Sequence, residues 1–239
     1  MIRRATPVGV VMPASTANAF NRCSEPNPSN PMDNKSIPRG VSPDQVVIGP
    51  GSKSLIYALL LALGDEVILP QPSWVSYAPQ AHLLGKPVLW IPTRREQNYN
   101  LEIETLRQKM EEDKEEWGNP EVLVLNSPNN PTGTMLPPDK VQALADFARE
   151  EQLMVLSDEI YSLITHGQIP HVSIAHHYPE GTVVMGGLSK HLSLGGWRFG
   201  LAILPPGRTG EALRRAVRTV ASSIWSCVTV PVQYAALVA

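Results

Sequence analysis

From Val41 onward, short runs rich in valine, isoleucine and leucine alternate with longer amphipathic stretches, and this rhythm restricts the fold more than anything else in the chain. Strands apolar on both faces must be covered on both faces, which calls for an α/β fold: a mostly parallel sheet flanked by helices. Residues 45–49 read as a short strand or a lead-in to a helix, and strands follow at 66–69, 87–91, 121–125, 154–157, 182–185 and 201–204. Helices are expected at 52–63, 73–84, 101–116, 138–151 and 211–222, with glycines at 64 and 85 closing the first two. No internal repeat is found. In a sheet of this kind, functional groups gather beyond the carboxyl ends of the strands.

With 239 residues, 43% of them hydrophobic and 18% charged, the chain can bury a sizeable core, and it has the size of one large or two small domains. A formal net charge of -2 leaves no basic footprint for nucleic acid or an anionic membrane surface. No apolar run approaches the ~20 residues that a helical membrane span needs, so a soluble protein is expected. Cys23 and Cys227 have neither metal nor redox spacing and suit a reducing compartment, which makes a cytoplasmic location the expectation. Residues 1–40 carry Arg3, Arg4 and Arg22, with no acid before Glu25, and are faintly like an organelle transit peptide. They read as an irregular leader to a folded domain at 41–239.

Three segments carry chemistry. Lys190 stands in the run 183–200, where a β-branched strand delivers an amine and, eight positions later, the guanidinium of Arg198. An amine held in this way can condense with an aldehyde. Asn130-Pro131-Thr132-Gly133 and Asp158-Glu159-Ile160-Tyr161 each follow an apolar, strand-like run. A single four-residue motif arises easily by chance; three in order, each at a strand end, do not. A fourth segment, 49–54, places a tight turn and hydroxyls at a helix start, where free N–H groups and the positive end of the helix dipole can hold a phosphate.

Together these motifs resemble the pyridoxal-phosphate-dependent aminotransferases of classes I and II, over residues 41–206. The resemblance implies that Lys190 forms a Schiff base with pyridoxal 5'-phosphate and then moves protons at the substrate α-carbon. Asp158 would keep the pyridine nitrogen protonated, and Tyr161 and Asn130 would bond the phenolic oxygen. Gly51, Ser52 and Lys53 would cup the phosphate, the backbone of Lys53 mattering more than its side chain, with Arg198 pairing it and Ser189 adding a hydroxyl. Gly187 stands where some members have serine, which removes one phosphate contact. Trp74, at the start of the helix expected at 73–84, would stack on the pyridine ring, with Tyr77 sharing that wall. Glu159 is expected to be structural. Trp90, Trp117 and Trp225 read as packing residues, and His171, His176 and His177 as loop histidines without a third metal ligand.

The activity implied is transfer of an amino group from an L-amino acid to a 2-oxo acid. Two alternatives stay open: another reaction of the same cofactor, such as that of a lyase resembling aminocyclopropane-carboxylate synthase, or a non-catalytic fragment that binds the cofactor. The resemblance also implies a C-terminal small domain with an arginine for the substrate α-carboxylate, and an N-terminal segment reaching a neighbouring subunit. The chain shows neither pattern, so the expectation is the cofactor-binding large domain alone, with apolar surface that favours a homodimer.

Overall fold

The structure is a computed structural model that describes residues 41–64, 66–117, 122–166 and 169–237; the expected leader at 1–40 lies outside them. Seven strands form one sheet: β1 (Val46–Gly49), β2 (Val67–Gln71), β3 (Val88–Pro92), β4 (Val122–Asn126), β5 (Met154–Asp158), β6 (Thr182–Gly187) and β7 (Gly200–Ile203). Their order is β1-β7-β6-β5-β4-β2-β3. Only β7 is reversed, pairing antiparallel with both β6 and β1, so the carboxyl ends of the other six lie along one edge. The mostly parallel sheet read from the sequence is therefore observed.

Among the described residues six α-helices accompany it: α1 (Ser52–Ala62), α2 (Tyr77–Leu83), α3 (Ile103–Trp117), α4 (Pro138–Glu150), α5 (Gly207–Ile224) and α6 (Val230–Ala235). Side chains alternate across each strand. Val124, Leu156 and Val183 thus meet Leu55, Ile56 and Leu59 of α1 with Leu213 and Val217 of α5 on one face. On the other, Ile68, Leu123 and Val155 meet Leu106 of α3 and Leu144 and Phe147 of α4. This two-sided cover is why the central strands are apolar at nearly every position. Each fully buried leucine or isoleucine contributes roughly 1.5–3 kcal/mol over leaving it exposed, as an upper bound.

Two sequence expectations need correction. The helix expected at 73–84 begins only at Tyr77, and Trp74 lies before it in a turn closed by Tyr77 N–H on the Trp74 carbonyl at 3.2 Å. The residues that α2 buries, Tyr77 and Ala81, start there, while Trp74 packs against the core only part-buried, from the turn before it. Trp90 is exposed on β3 rather than packed, while Trp225 does pack against the core; the Trp117 side chain lies outside the described residues.

The sheet edge near α1 is kept low by glycine. Gly49 pairs with Gly200, and Gly200 with Gly187, so three glycines sit side by side across β1, β7 and β6. A Cβ on Gly200 would fall 2.3 Å from both the Gly51 carbonyl carbon and the Ser52 nitrogen. The absence of a side chain there is what lets the turn before α1 settle onto β7. We expect Gly200→Ala to destabilise the fold by about 1–3 kcal/mol through overpacking. Gly196→Ala, whose Cβ would meet nothing within 4 Å, should cost far less. Urea titration of both variants checks the contrast.

Candidate active site

The end of β5 puts Asp158 beside Asn126 of β4 and Met185 of β6, in the middle of the sheet edge. Its side chain is buried. A carboxylate removed from water must be hydrogen-bonded to be tolerable. Asp158 Oδ2 accepts from the Tyr77 hydroxyl at 2.7 Å and Oδ1 from the Ile160 N–H at 3.2 Å. Burial still raises its pKa above the usual carboxylate range, while the Tyr77 and Ile160 bonds and the charge of Lys190 act to lower it. The Tyr77 phenol is in turn raised well above its ordinary value, by burial first and then by the negative charge of Asp158.

After Asp158 the chain curls: Ser162 N–H bonds the Glu159 carbonyl at 2.9 Å, and this turn carries Tyr161 back towards Asp158. Lys190, in the turn that follows β6, holds its Nζ 5.3 Å from the centre of the Tyr161 ring. Asn126 fixes the next wall. Its Nδ2 donates to the Asp158 carbonyl at 2.8 Å and its Oδ1 accepts the Asn130 N–H at 2.8 Å, so one amide ties the loop after β4 to β5. A side-chain bond from Thr132 to Asn129 tightens the same loop, at 3.0 Å.

The turn into α1 faces these groups. Gly51 adopts φ +87°, open to glycine at little cost, and a Cβ there would lie 2.3 Å from an Arg198 guanidinium nitrogen. Arg198 reaches across from the loop before β7, donating to the Gly195 carbonyl at 2.7 Å and the Pro50 carbonyl at 3.3 Å. Gly187 cannot become serine in this backbone without a shift, since its Cβ would come 2.7 Å from the Phe199 carbonyl oxygen. Lys53 places its ammonium 4.8 Å from the centre of the Trp74 ring, so its side chain as well as its backbone belongs to this wall. Trp74 meets Tyr77 edge-on, ring centres 5.2 Å apart and planes 81° apart.

These side chains line one cavity of about 260 Å³: Ser52, Lys53, Trp74, Asn130, Asp158, Tyr161, Ser189, Lys190 and Arg198 from the sequence reading, with Gly51 immediately behind Ser52. The fold thus brings together all ten residues singled out. It adds Tyr77, Asn126, Ile160 and Gly195. Tyr77 was expected beside Trp74 as a wall; its hydroxyl on Asp158 is the new feature. Asn126 had no assigned role, although a polar residue closing the run Val122-Leu123-Val124-Leu125 is a usable sign of a strand-end group.

Two outlying expectations resolve as follows. Glu159 is buried and held by Ser157 and Ser173, as a structural residue would be. His171 lies in a loop, as expected, but is buried there against Glu159. No group of three or more metal-ligating side chains occurs among the described residues.

Chemically, the cavity offers an amine beside a phenol, a buried carboxylate, a fixed amide and a guanidinium over a helix N-terminus. We expect Tyr77→Phe to cost about 1–3 kcal/mol of stability, because it strips a hydrogen bond from a buried acid. The loss should be larger at pH 8 than at pH 4, since the bond removed is one that favours the ionised form of Asp158. Denaturant melts at the two pH values check this.

Comparison with known proteins points the same way. Residues 39–239 match the family described as aminotransferase class I and II. The chain is similar to the aspartate aminotransferase of Bacillus subtilis, 34% identical over 203 residues that make up 82% of this chain and 49% of the relative. The aspartate aminotransferase of Bacillus sp. strain YM-2 is 35% identical over 202 residues, 82% of this chain and 48% of the relative. The chain thus spans about half the length of the curated relatives it matches. The solved aspartate aminotransferase from Thermus thermophilus with maleate superposes with a TM-score of 0.79 at 29% identity, covering 98% of this chain and 56% of that one.

Proposed function

The chain belongs to the class I and II aminotransferases, and from that premise we propose that it moves an amino group from an L-amino acid to a 2-oxo acid with pyridoxal 5'-phosphate held in the cavity at the strand ends. What supports the reading is the convergence of Lys190, Asp158, Tyr161, Asn130 and Arg198 on one cavity from three separate stretches of chain. The residues present fit the cofactor. Gly51, with no Cβ, lets the Arg198 guanidinium close over the turn, so a fixed cation stands beside the first N–H groups of α1, where a phosphate would be held.

When bound, pyridoxal phosphate supplies an aldehyde for an amine to join and a ring that takes up the electron pair released at the substrate α-carbon. The chain's own groups divide the rest. Arg198, the N–H groups of Ser52 and Lys53, and the Ser189 hydroxyl bind the phosphate. Asp158 holds a proton on the ring nitrogen, its carboxylate oriented by Tyr77 and Ile160. Asn130 and Tyr161 donate to the phenolic oxygen, and Trp74 excludes water on one side. Lys190 Nζ moves the proton at the α-carbon. The relatives are aminotransferases, so the lyase alternative is not favoured.

Leu192 and Trp197, near the cavity, and Ile224, Val230 and Tyr234, on and beyond α5, are exposed. We read this apolar surface as the one that a second copy of the chain covers. Sedimentation should show a dimer; a monodisperse monomer would remove that part of the reading. Among the described residues no helix is long and apolar enough to cross a membrane.

With pyridoxal phosphate added, the purified chain should develop a visible absorption band that Lys190→Ala lacks. Amino transfer between candidate amino acids and 2-oxo acids should fall by about 10²–10⁴-fold in the variant. A band that persists in Lys190→Ala would defeat the assignment of Lys190. A Lys190-dependent band unaltered by any amino acid would support cofactor binding and defeat the transfer.

A further inference from the structure

On the other side of β5 lies a second buried group of titratable side chains that the chemistry above does not use. Ser157 alternates with Asp158 along the strand, and Glu159 follows it onto the same face, away from the cavity. Glu159 Oε1 accepts from Ser157 Oγ at 2.9 Å and from Ser173 Oγ at 2.6 Å. Its Oε2 has no hydrogen-bond partner among the described residues and faces His171 Nε2, 3.9 Å away. The side chains of Glu159 and His171 are only 2% and 3% exposed. Two donors on one oxygen and none on the other suit a carboxyl group that keeps its proton. Oε1 is then the carbonyl oxygen and Oε2 carries the hydrogen, beside the imidazole but beyond hydrogen-bond reach of it.

We propose that Glu159 keeps its proton in the fold beside a neutral His171, and that this pair is a positioning device which leaves Asp158 as the one negative charge at the end of β5. Two adjacent carboxylates in a dry interior cannot both be ionised cheaply. Asp158 has Tyr77, the Ile160 N–H and Lys190 to favour its charged form. Glu159 has only hydroxyls and a histidine that burial keeps neutral. Burial first, then the charge of Asp158, raises Glu159 from 4.5 to about 8, against the pull of Ser173 and Ser157. Burial first, then the neighbouring His176, lowers His171 from 6.5 to about 4, against the Ser127 backbone. Those residues, from β5, the segment after β4 and the segment 171–176, are the groups that bear on the pair.

The pH dependence follows in sign. Glu159 keeps in the fold a proton that the unfolded chain gives up, so its contribution to stability is full below about 4.5 and is lost as the pH rises to about 8. His171 is the reverse: its contribution is present above about 6.5 and is lost as the pH falls to about 4. Between 4.5 and 6.5 the two oppose each other, and from 6.5 to 8 Glu159 acts without His171.

Only the benefit to Asp158 rests on the function proposed above; the proton pair stands on the chain by itself. The test therefore begins without cofactor. In protein labelled with ¹³C at the glutamate side-chain carboxyls, one resonance should titrate with a midpoint near 8 and be missing from Glu159→Gln. From pH 6.5 to 8 the wild type should lose thermal stability relative to this variant, which keeps a neutral group in place. Glu159→Gln should also bind pyridoxal phosphate within about twofold of wild type at pH 7, because the charge on Asp158 is untouched. Glutamate resonances that titrate only in the acid range would overturn the pair, and this is read on the wild type even if the variant does not fold. A tenfold weaker affinity in a folded Glu159→Gln would overturn the positioning role. Failure of the wild type to bind pyridoxal phosphate would instead overturn the proposed function, with the carboxyl titration still deciding the pair.

Discussion

A carboxylate buried at the end of a central strand is the constraint around which the rest is arranged. Removing the charge of Asp158 from water costs several kcal/mol unless donors replace the lost hydration. The replacements come from separate parts of the chain: the Tyr77 hydroxyl at the start of α2, the Ile160 N–H in the turn after β5, and the positive charge of Lys190 after β6. Each supplier requires the sheet order that places β5 between β4 and β6. A strand slipped by one residue would turn Asp158 to the other face, against the helices α3 and α4, where none of these donors is found.

The same arithmetic gives the site its two-sided character. On the face of β5 towards α1, the acid is surrounded by donors and a cation. On the opposite face Glu159 is surrounded by hydroxyls and a buried imidazole. Adjacent carboxyl groups in contrasting surroundings are pushed to different protonation states, which is how one fold keeps one acid ionised beside another that is not. The cavity wall opposite Asp158 depends on close backbone approach instead. Gly200 admits the turn before α1, and Gly51 admits the Arg198 guanidinium, so the N-terminus of a helix and a fixed cation share one corner.

Much of this was legible in the chain. Strands covered on both faces leave apolar runs, so the strand and helix order could be read to within a few residues at most ends. Lys190, Asp158, Asn130 and Arg198 were legible because each follows such a run. What escaped was set by contacts distant in sequence. The Tyr77–Asp158 bond joins residues 81 apart, and the Asn126 bond to the Asp158 carbonyl depends on cross-strand register. His171 reads as a loop residue locally, and its burial beside Glu159, twelve residues earlier, is not visible in the sequence. The start of α2 was misplaced because the sequence around Trp74 permits a helix, while the fully buried residues of the helix begin at Tyr77.

If the strand ends hold an aldehyde cofactor as proposed, they select one lysine for it. Reducing the chain with borohydride in the presence of pyridoxal phosphate and mapping the modified peptide by mass spectrometry tests that selection. A near-stoichiometric adduct on Lys190, with other lysines such as Lys53 unmodified, is expected. An adduct spread over surface lysines, or one carried by Lys53 in preference to Lys190, would contradict it.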